Sequence, residues 1–141
     1  MERDIRFKGR KVEDGKWVSG YYVHLHDCRK KRDSYRIYTG FAETDVDDFF
    51  GDWHEVNPKT VFEFTGCYDM TGKPIYEGDI VEKQDWPHMG RKRTIIRIDG
   101  GGFITCEPSG RAIDAILVTR MSKNWAVIGN IIENPGLGME D

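Results

Sequence analysis

Residues 64–81 read FTGCYDMTGKPIYEGDIV, and residues 7–23 read FKGRKVEDGKWVSGYYV. Phe7-x-Gly9 followed by Gly15-Lys16 returns as Phe64-x-Gly66 followed by Gly72-Lys73, an offset of 57 (7 to 64). With one residue inserted, Gly20-Tyr21-Tyr22-Val23 returns as Gly78-Asp79-Ile80-Val81. A fixed-offset recurrence marks one supersecondary unit used twice. What recurs is glycine and strand formers, so a backbone shape is repeated and not a set of reactive groups. Asp14-Gly15 and Thr71-Gly72 supply tight-turn chemistry, because glycine accepts positive φ and Asp bonds its own backbone. The expectation is a duplicated hairpin.

Working outward, the rest of the chain reads the same way. Ile5-Arg6-Phe7-Lys8 alternates apolar and polar, and Trp17 to Leu25 is its strand partner across the turn. Cys28 to Asp33 is a charged loop, and Tyr35-Arg36-Ile37-Tyr38 alternates again. Glu43 to Asp52 is acidic, with Thr44 able to cap one short helix. Asn57-Pro58 stops the chain, since proline pushes the preceding residue out of helical geometry. Thr60 to Thr65 is a strand, and Pro74 to Lys83 is extended with an interruption at Glu77-Gly78-Asp79. Thr94 to Ile98 and Phe103 to Glu107 flank Gly100-Gly101-Gly102 as a hairpin. Residues 112–118 fit a strand or two helical turns equally well, and Trp125 to Ile132 is a final strand. The fold class is all-β, with small, barrel-like, curled antiparallel sheets. One domain is expected over 1–141, its halves 1–56 and 57–141 packed together.

Composition agrees. The 141 residues are 38% hydrophobic and 32% charged, with four Trp, six Tyr and seven Phe. Rings bury large apolar areas, so this aromatic content argues against intrinsic disorder. A net charge of -3 gives no global pull toward nucleic acid or an anionic membrane. Cys28, Cys67 and Cys106 show no CxxC spacing, and Met1-Glu2-Arg3-Asp4 carries no apolar segment. The expectation is free thiols in the cytoplasm, with no membrane span.

Val56-Asn57-Pro58-Lys59-Thr60-Val61, Phe64-Thr65-Gly66, Asp69, Gly72-Lys73 and Ile75-Tyr76-Glu77-Gly78-Asp79-Ile80-Val81 together resemble the YopX family of phage and prophage proteins. Ile5 to Gly9 with Trp17 and Gly20-Tyr21-Tyr22 resembles that family's start, and Val127 to Pro135 its end. The resemblance implies an all-β, barrel-containing fold encoded by mobile elements. It implies no activity, substrate or catalytic residue. Residues 26–55 and 84–120 depart from it.

Candidate chemistry can be weighed residue by residue. Glu77-Gly78-Asp79 lacks a partner for acid–base work, whereas an Asp entering a strand can accept nearby backbone N–H groups. The first copy has Tyr21 where the second has Asp79, which no shared catalytic role allows. His24, His26 and Cys28 fall on one face of an extended strand, but zinc sites pair their ligands across tight knuckles and no second pair exists. The Asp45 to Asp52 stretch breaks the calcium-loop pattern at Phe49 and Phe50. Gly100-Gly101-Gly102 lacks the lysine of a phosphate loop. Ser19, Ser34, Ser109 and Ser122 lack a nucleophile-elbow context. The chain is therefore read as a non-enzyme without metal or cofactor.

Two basic clusters remain, Arg29-Lys30-Lys31-Arg32 and Arg91-Lys92-Arg93. Cations beside stacking rings are how small β-barrels hold single strands. Against that, Asp27, Asp33 and Asp85 dilute the local charge, and the rings are expected in the core. The favoured reading is a phage- or prophage-encoded binding or assembly module, acting through protein contacts or as a homo-oligomer. The alternative is a nucleic-acid-binding accessory protein using loops 29–32 and 91–93.

Overall fold

The computed structural model describes residues 5–39, 52–83, 93–99, 102–106 and 124–137. Strands dominate these residues and no α-helix occurs among them, so the all-β expectation holds. The acidic stretch 43–51, the segment 112–118 and the basic residues Arg91 and Lys92 lie outside the described residues. By its contacts the chain divides into two compact units, Met1–Glu63 and Phe64–Asp141.

In the first unit, β1 (Phe7–Arg10) and β2 (Trp17–Asp27) form the expected hairpin, with Phe7 opposite Gly20 and Arg10 opposite Trp17. Gly15 takes φ 73 at its tip, where any side chain would be strained. β2 turns back at Cys28 into β3 (Arg32–Tyr38), which pairs the short β4 (Trp53–Glu55) on its other side. The loop is shorter than the sequence suggests, because Lys31 at φ 51 makes the reversal within Cys28 to Lys31. β4 itself was not expected. A 3-10 turn, Pro58–Thr60, follows, and its Thr60 hydroxyl accepts the Arg10 N–H at 2.9 Å while donating to the Asn57 carbonyl at 2.7 Å. The start of β5 (Phe62–Tyr68) then pairs with β1, Lys8 opposite Phe62. Ile37 and Val56 are fully buried on the inner side.

In the second unit, β5 continues and pairs β6 (Pro74–Tyr76), with Phe64 opposite Tyr76. Gly72 takes φ 86 near that hairpin's tip, as Gly15 does in the first. The tips are nevertheless wired differently. The Gly15 N–H reaches back to the Lys11 carbonyl, four residues, whereas the Gly72 N–H reaches the Asp69 carbonyl, three residues. β5 also carries a register shift between Phe64 and Tyr68, with Gly66 at φ 84, that β1 lacks. A four-stranded sheet completes the unit in the order β10-β7-β8-β9, from β7 (Asp79–Lys83), β8 (Arg93–Asp99), β9 (Gly102–Cys106) and β10 (Trp125–Asn130). The pair Asp99 and Gly102 closes the β8–β9 hairpin, as the glycine run predicts. Ile75, Val81, Ile96 and Trp125 form its buried core, with Cys67 and Val127 packed against it. Among the described residues, no pairing closes a barrel.

Among the described glycines of the first unit, Gly20 has the tightest backbone neighbour. A Cβ there would sit 2.1 Å from the Tyr38 carbonyl oxygen, across the β2–β3 ladder. Gly20→Ala must therefore push two paired strands apart, and the expected cost is about 1–3 kcal/mol in urea unfolding. A change below about 0.5 kcal/mol would mean that the ladder yields freely at this point.

Candidate functional site

The motif that carries the sequence resemblance resolves into two buried carboxylates. Asp79 is 2% exposed, and its Oδ2 accepts the Tyr76 N–H at 2.8 Å. The tight turn Glu77-Gly78 between them places Gly78 at φ 82, where its N–H donates to the Ile96 carbonyl (2.8 Å) and its carbonyl accepts from Ile131 (3.0 Å). The structural role read for Asp79 is thus what its geometry provides.

Asp69 has the larger role, and the sequence reading assigned it none. It is 4% exposed. Its Oδ1 accepts the Thr71 N–H (2.8 Å), the Thr71 hydroxyl (2.6 Å) and the Lys73 N–H (2.9 Å). Its Oδ2 accepts the Val127 N–H at 2.9 Å, tying the β5–β6 turn to β10. The Met70 N–H adds a bond to the Trp125 carbonyl at 3.0 Å. Burial alone would raise the Asp69 pKa, but the Thr71 hydroxyl and the Val127, Lys73 and Thr71 N–H groups hold it below the ordinary value. Both carboxylates are committed to the backbone.

The exposed features gather in the first unit. Residues paired across an antiparallel ladder share a face, so Leu25, Asp27, Arg32, Ser34, Arg36, Trp53 and Glu55 stand on one side of β2–β3–β4. With the reversal residues Cys28, Arg29 and Lys30 they line a groove of about 510 Å³. The Arg36 guanidinium lies 3.8 Å above the Trp53 ring and donates to the Ser34 hydroxyl at 2.9 Å and the Tyr38 hydroxyl at 3.3 Å. Trp53 stays 43% exposed and Leu25 40%. Among the described residues no ion pair engages Arg29, Lys30 or Arg32. Asp27 accepts the N–H groups of Arg29 (2.9 Å) and Lys30 (3.2 Å). Those bonds hold its pKa low, led by Lys30, and fix the reversal that carries the cations.

By ladder alternation His24 and His26 belong to the opposite face, though His26 also borders the groove at its reversal end. His24 stacks on Tyr35 with centroids 4.4 Å apart, and His26 Nδ1 lies 2.7 Å from the Asp33 carboxylate, which it holds below its usual pKa. Cys28 leaves that face and sits in the reversal, exposed, its thiol free. No cluster of three His, Cys, Asp or Glu side chains able to hold a metal occurs among the described residues. Nor, among them, is any helix long and apolar enough to cross a membrane.

Of the basic candidates, Arg29, Lys30 and Arg32 line the groove, while exposed Lys31 takes the left-handed position of the reversal. Arg93 is occupied differently. Its Nε donates to Glu82 at 2.8 Å, a second guanidinium nitrogen donates to the Leu137 carbonyl at 3.0 Å, and its side chain is 11% exposed. It braces β7, β8 and the segment after β10. Trp53 and Arg36 were not singled out in the sequence. The alternation of Tyr35-Arg36-Ile37-Tyr38 could have placed Arg36 on the outer face, but nothing local pairs it with Trp53.

The chain matches the YopX protein family over residues 6–138. It belongs to the YopX family. The crystal structure of protein EF1440 from Enterococcus faecalis is similar over 96% of this chain and 99% of that one, at 21% identity and a TM-score of 0.60. That likeness is one of fold. No curated protein matches the sequence. The YopX motif Ile75 to Val81 is thus a β6–turn–β7 element centred on Gly78, with Asp79 closing back on Tyr76.

Two outcomes follow for the carboxylates. Asp79→Asn keeps an oxygen for Tyr76 and should unfold near the parent's midpoint, whereas Asp79→Leu should lose about 1–3 kcal/mol. A Leu variant that melts normally would show that the bond adds nothing. Asp69→Asn presents an amide to several donors at once, and the expected loss is about 2–4 kcal/mol at pH 7. Because the folded pKa of Asp69 is lowered, its contribution is complete above about pH 4 and is lost as pH falls through the folded value. Urea titrations from pH 6 to 2.5 should therefore fall more steeply for the parent than for Asp69→Asn. Parallel profiles would refute the assignment.

Proposed function

We propose that this YopX-family chain is a non-enzymatic binding module, and that its partner docks on the outer face of β2–β3–β4. One observation carries the reading: the Arg36 guanidinium stacked 3.8 Å over Trp53, beside a groove of about 510 Å³. An exposed Trp held flat by an Arg is preorganised contact area, and Trp and Arg dominate binding energy at interfaces. The non-enzymatic part is supported by Asp69 and Asp79, whose carboxylates are occupied by backbone N–H groups. A mobile-element origin is supported by the family resemblance, and a cytoplasmic setting by the free thiols of Cys28 and Cys67. Left-handed Gly15 and Gly72, at the offset of the repeat, support reading the two hairpins as copies of one unit, though their tips differ.

The sequence disfavoured a nucleic-acid partner in part because the rings beside the basic clusters were expected in the core. Trp53 removes that premise for the first basic cluster. The nucleic-acid alternative now rests on residues 29–32 with Arg36 and Trp53. It no longer draws on Arg93, which is engaged with Glu82.

The test is co-purification of the tagged protein from its host, parent against Leu25→Ser/Trp53→Ser, with bound protein and nucleic acid both quantified. The double variant should keep its fold by circular dichroism and lose at least about tenfold in partner recovery, the loss of a hot-spot residue. Undiminished recovery on a folded variant would place the docking surface elsewhere.

A further inference from the structure

We propose that the groove between the β2–β3 reversal and Trp53 takes a segment of single-stranded nucleic acid. The inference rests on the docking face above and names the ligand's chemistry. Four cations line the groove, Arg29, Lys30, Arg32 and Arg36, against two carboxylates, Asp27 and Glu55. Arg29, Lys30 and Arg32 sit at one end of it, and Arg36 with the Trp53 ring at the other. β3 rises about 3.3 Å per residue, so Arg32 at the reversal stands roughly 20 Å from Tyr38, whose ladder partner is Trp53. An isolated phosphate would use one end's cations and leave the other end idle, and an aromatic ligand would leave the reversal cations idle.

A single strand meets both. Its phosphates follow the cations, and a base stacks on the exposed part of the indole, an arrangement indifferent to sequence. Arg36 sets a charge beside the ring. With one face over Trp53 and its donors partly held by Ser34 and Tyr38, the guanidinium is fixed in place before a ligand arrives. A paired duplex hides its base faces and cannot use Trp53. An acidic peptide offers charge without a planar ring. The overall charge of -3 does not argue against this, because screening confines the field to about 10 Å at 0.1 M salt.

The experiment is fluorescence anisotropy of a labelled 12-nucleotide strand of mixed sequence titrated with the full chain between about 50 and 200 mM salt. The parent should bind with a dissociation constant below about 100 μM at 50 mM salt and weaken steeply with salt, the behaviour of contacts made mainly to phosphate. Arg29→Gln/Lys30→Gln/Arg32→Gln should flatten the log–log salt slope by about 2, since each lost phosphate contact removes roughly 0.7. Trp53→Ala should weaken binding about tenfold at every salt, and Trp53→Phe should restore most of it, because any ring can stack. Circular dichroism of each variant separates lost binding from lost fold.

No binding at 50 mM salt overturns the proposal. So does equal competition by polyglutamate of matched charge, by inorganic phosphate, or by the duplex of the same sequence. Binding indifferent to Trp53→Ala overturns it too. If the strand does not bind while the co-purification still yields a protein partner lost with Leu25→Ser/Trp53→Ser, the docking face stands and only its ligand class is wrong. If both fail, the face itself falls.

Discussion

The second unit depends on one carboxylate. Asp69 collects three donors from its own turn and one from β10, so a single buried charge fixes the β5–β6 turn and the β10 strand at the same time. Burial would normally expel that charge. Four donors within 2.9 Å reverse the balance, and the ionised form becomes the stable one. Asp79 repeats the device on a smaller scale one turn later. Gly78 makes it possible, since its left-handed backbone lets the chain reverse between Tyr76 and Asp79 while bonding β8 and the residue after β10. In the string that looks most like an active site, Asp79 and Gly78 thus have structural bonds. The Asp79 carboxylate and the Gly78 N–H and carbonyl all bond to backbone.

The first unit shows the opposite use of polar residues. Its inner side is closed by Ile37 and Val56, and its outer face holds Arg36, Ser34 and Tyr38 in a short chain of donors and acceptors beneath Trp53. An arginine stacked on an indole is desolvated on one face yet keeps donors at its edge. The stack orders both side chains at some cost in entropy and leaves the guanidinium edge and part of the indole exposed, the features on which the proposed docking face rests.

What could be read from the sequence was what is local. Strand starts and stops followed Gly15, Pro58, Gly72, Gly78 and the glycines after Asp99, because turn chemistry is settled within a few residues. Asp79 was legible for the same reason, its donor being three residues away. Asp69 was not, because its Val127 donor lies 58 residues along the chain. The groove escaped for a related reason. Trp53–Glu55 is too short to show a period, and the register that sets Trp53 opposite Tyr38 is decided by cross-strand pairing. The repeat was legible as a pattern of glycines, but its two tips close over different numbers of residues, since an Asp at position 69 and a Val at position 12 bond differently.

The two basic clusters make the general point. By composition they are alike, three or four cations in a row, and counting charge treats them as equals. Arg93 enters a strand directly opposite Glu82, so its charge is neutralised at 2.8 Å and enclosed. Arg29 and Lys30 occupy a reversal flanked by two ladder acids: Asp27 accepts the reversal's own N–H groups, and Asp33 is bonded to His26 on the other face. Asp27 thus offsets part of their charge while its bonds hold in place the reversal that carries them. Charge in a sequence is a sum, whereas charge at a surface is what remains after the backbone and the ladder have taken their share. Among the described residues that line the groove the remainder is positive, and it shares the groove with the stack of Arg36 on Trp53; the proposed docking of an anionic, ring-bearing chain rests on that arrangement.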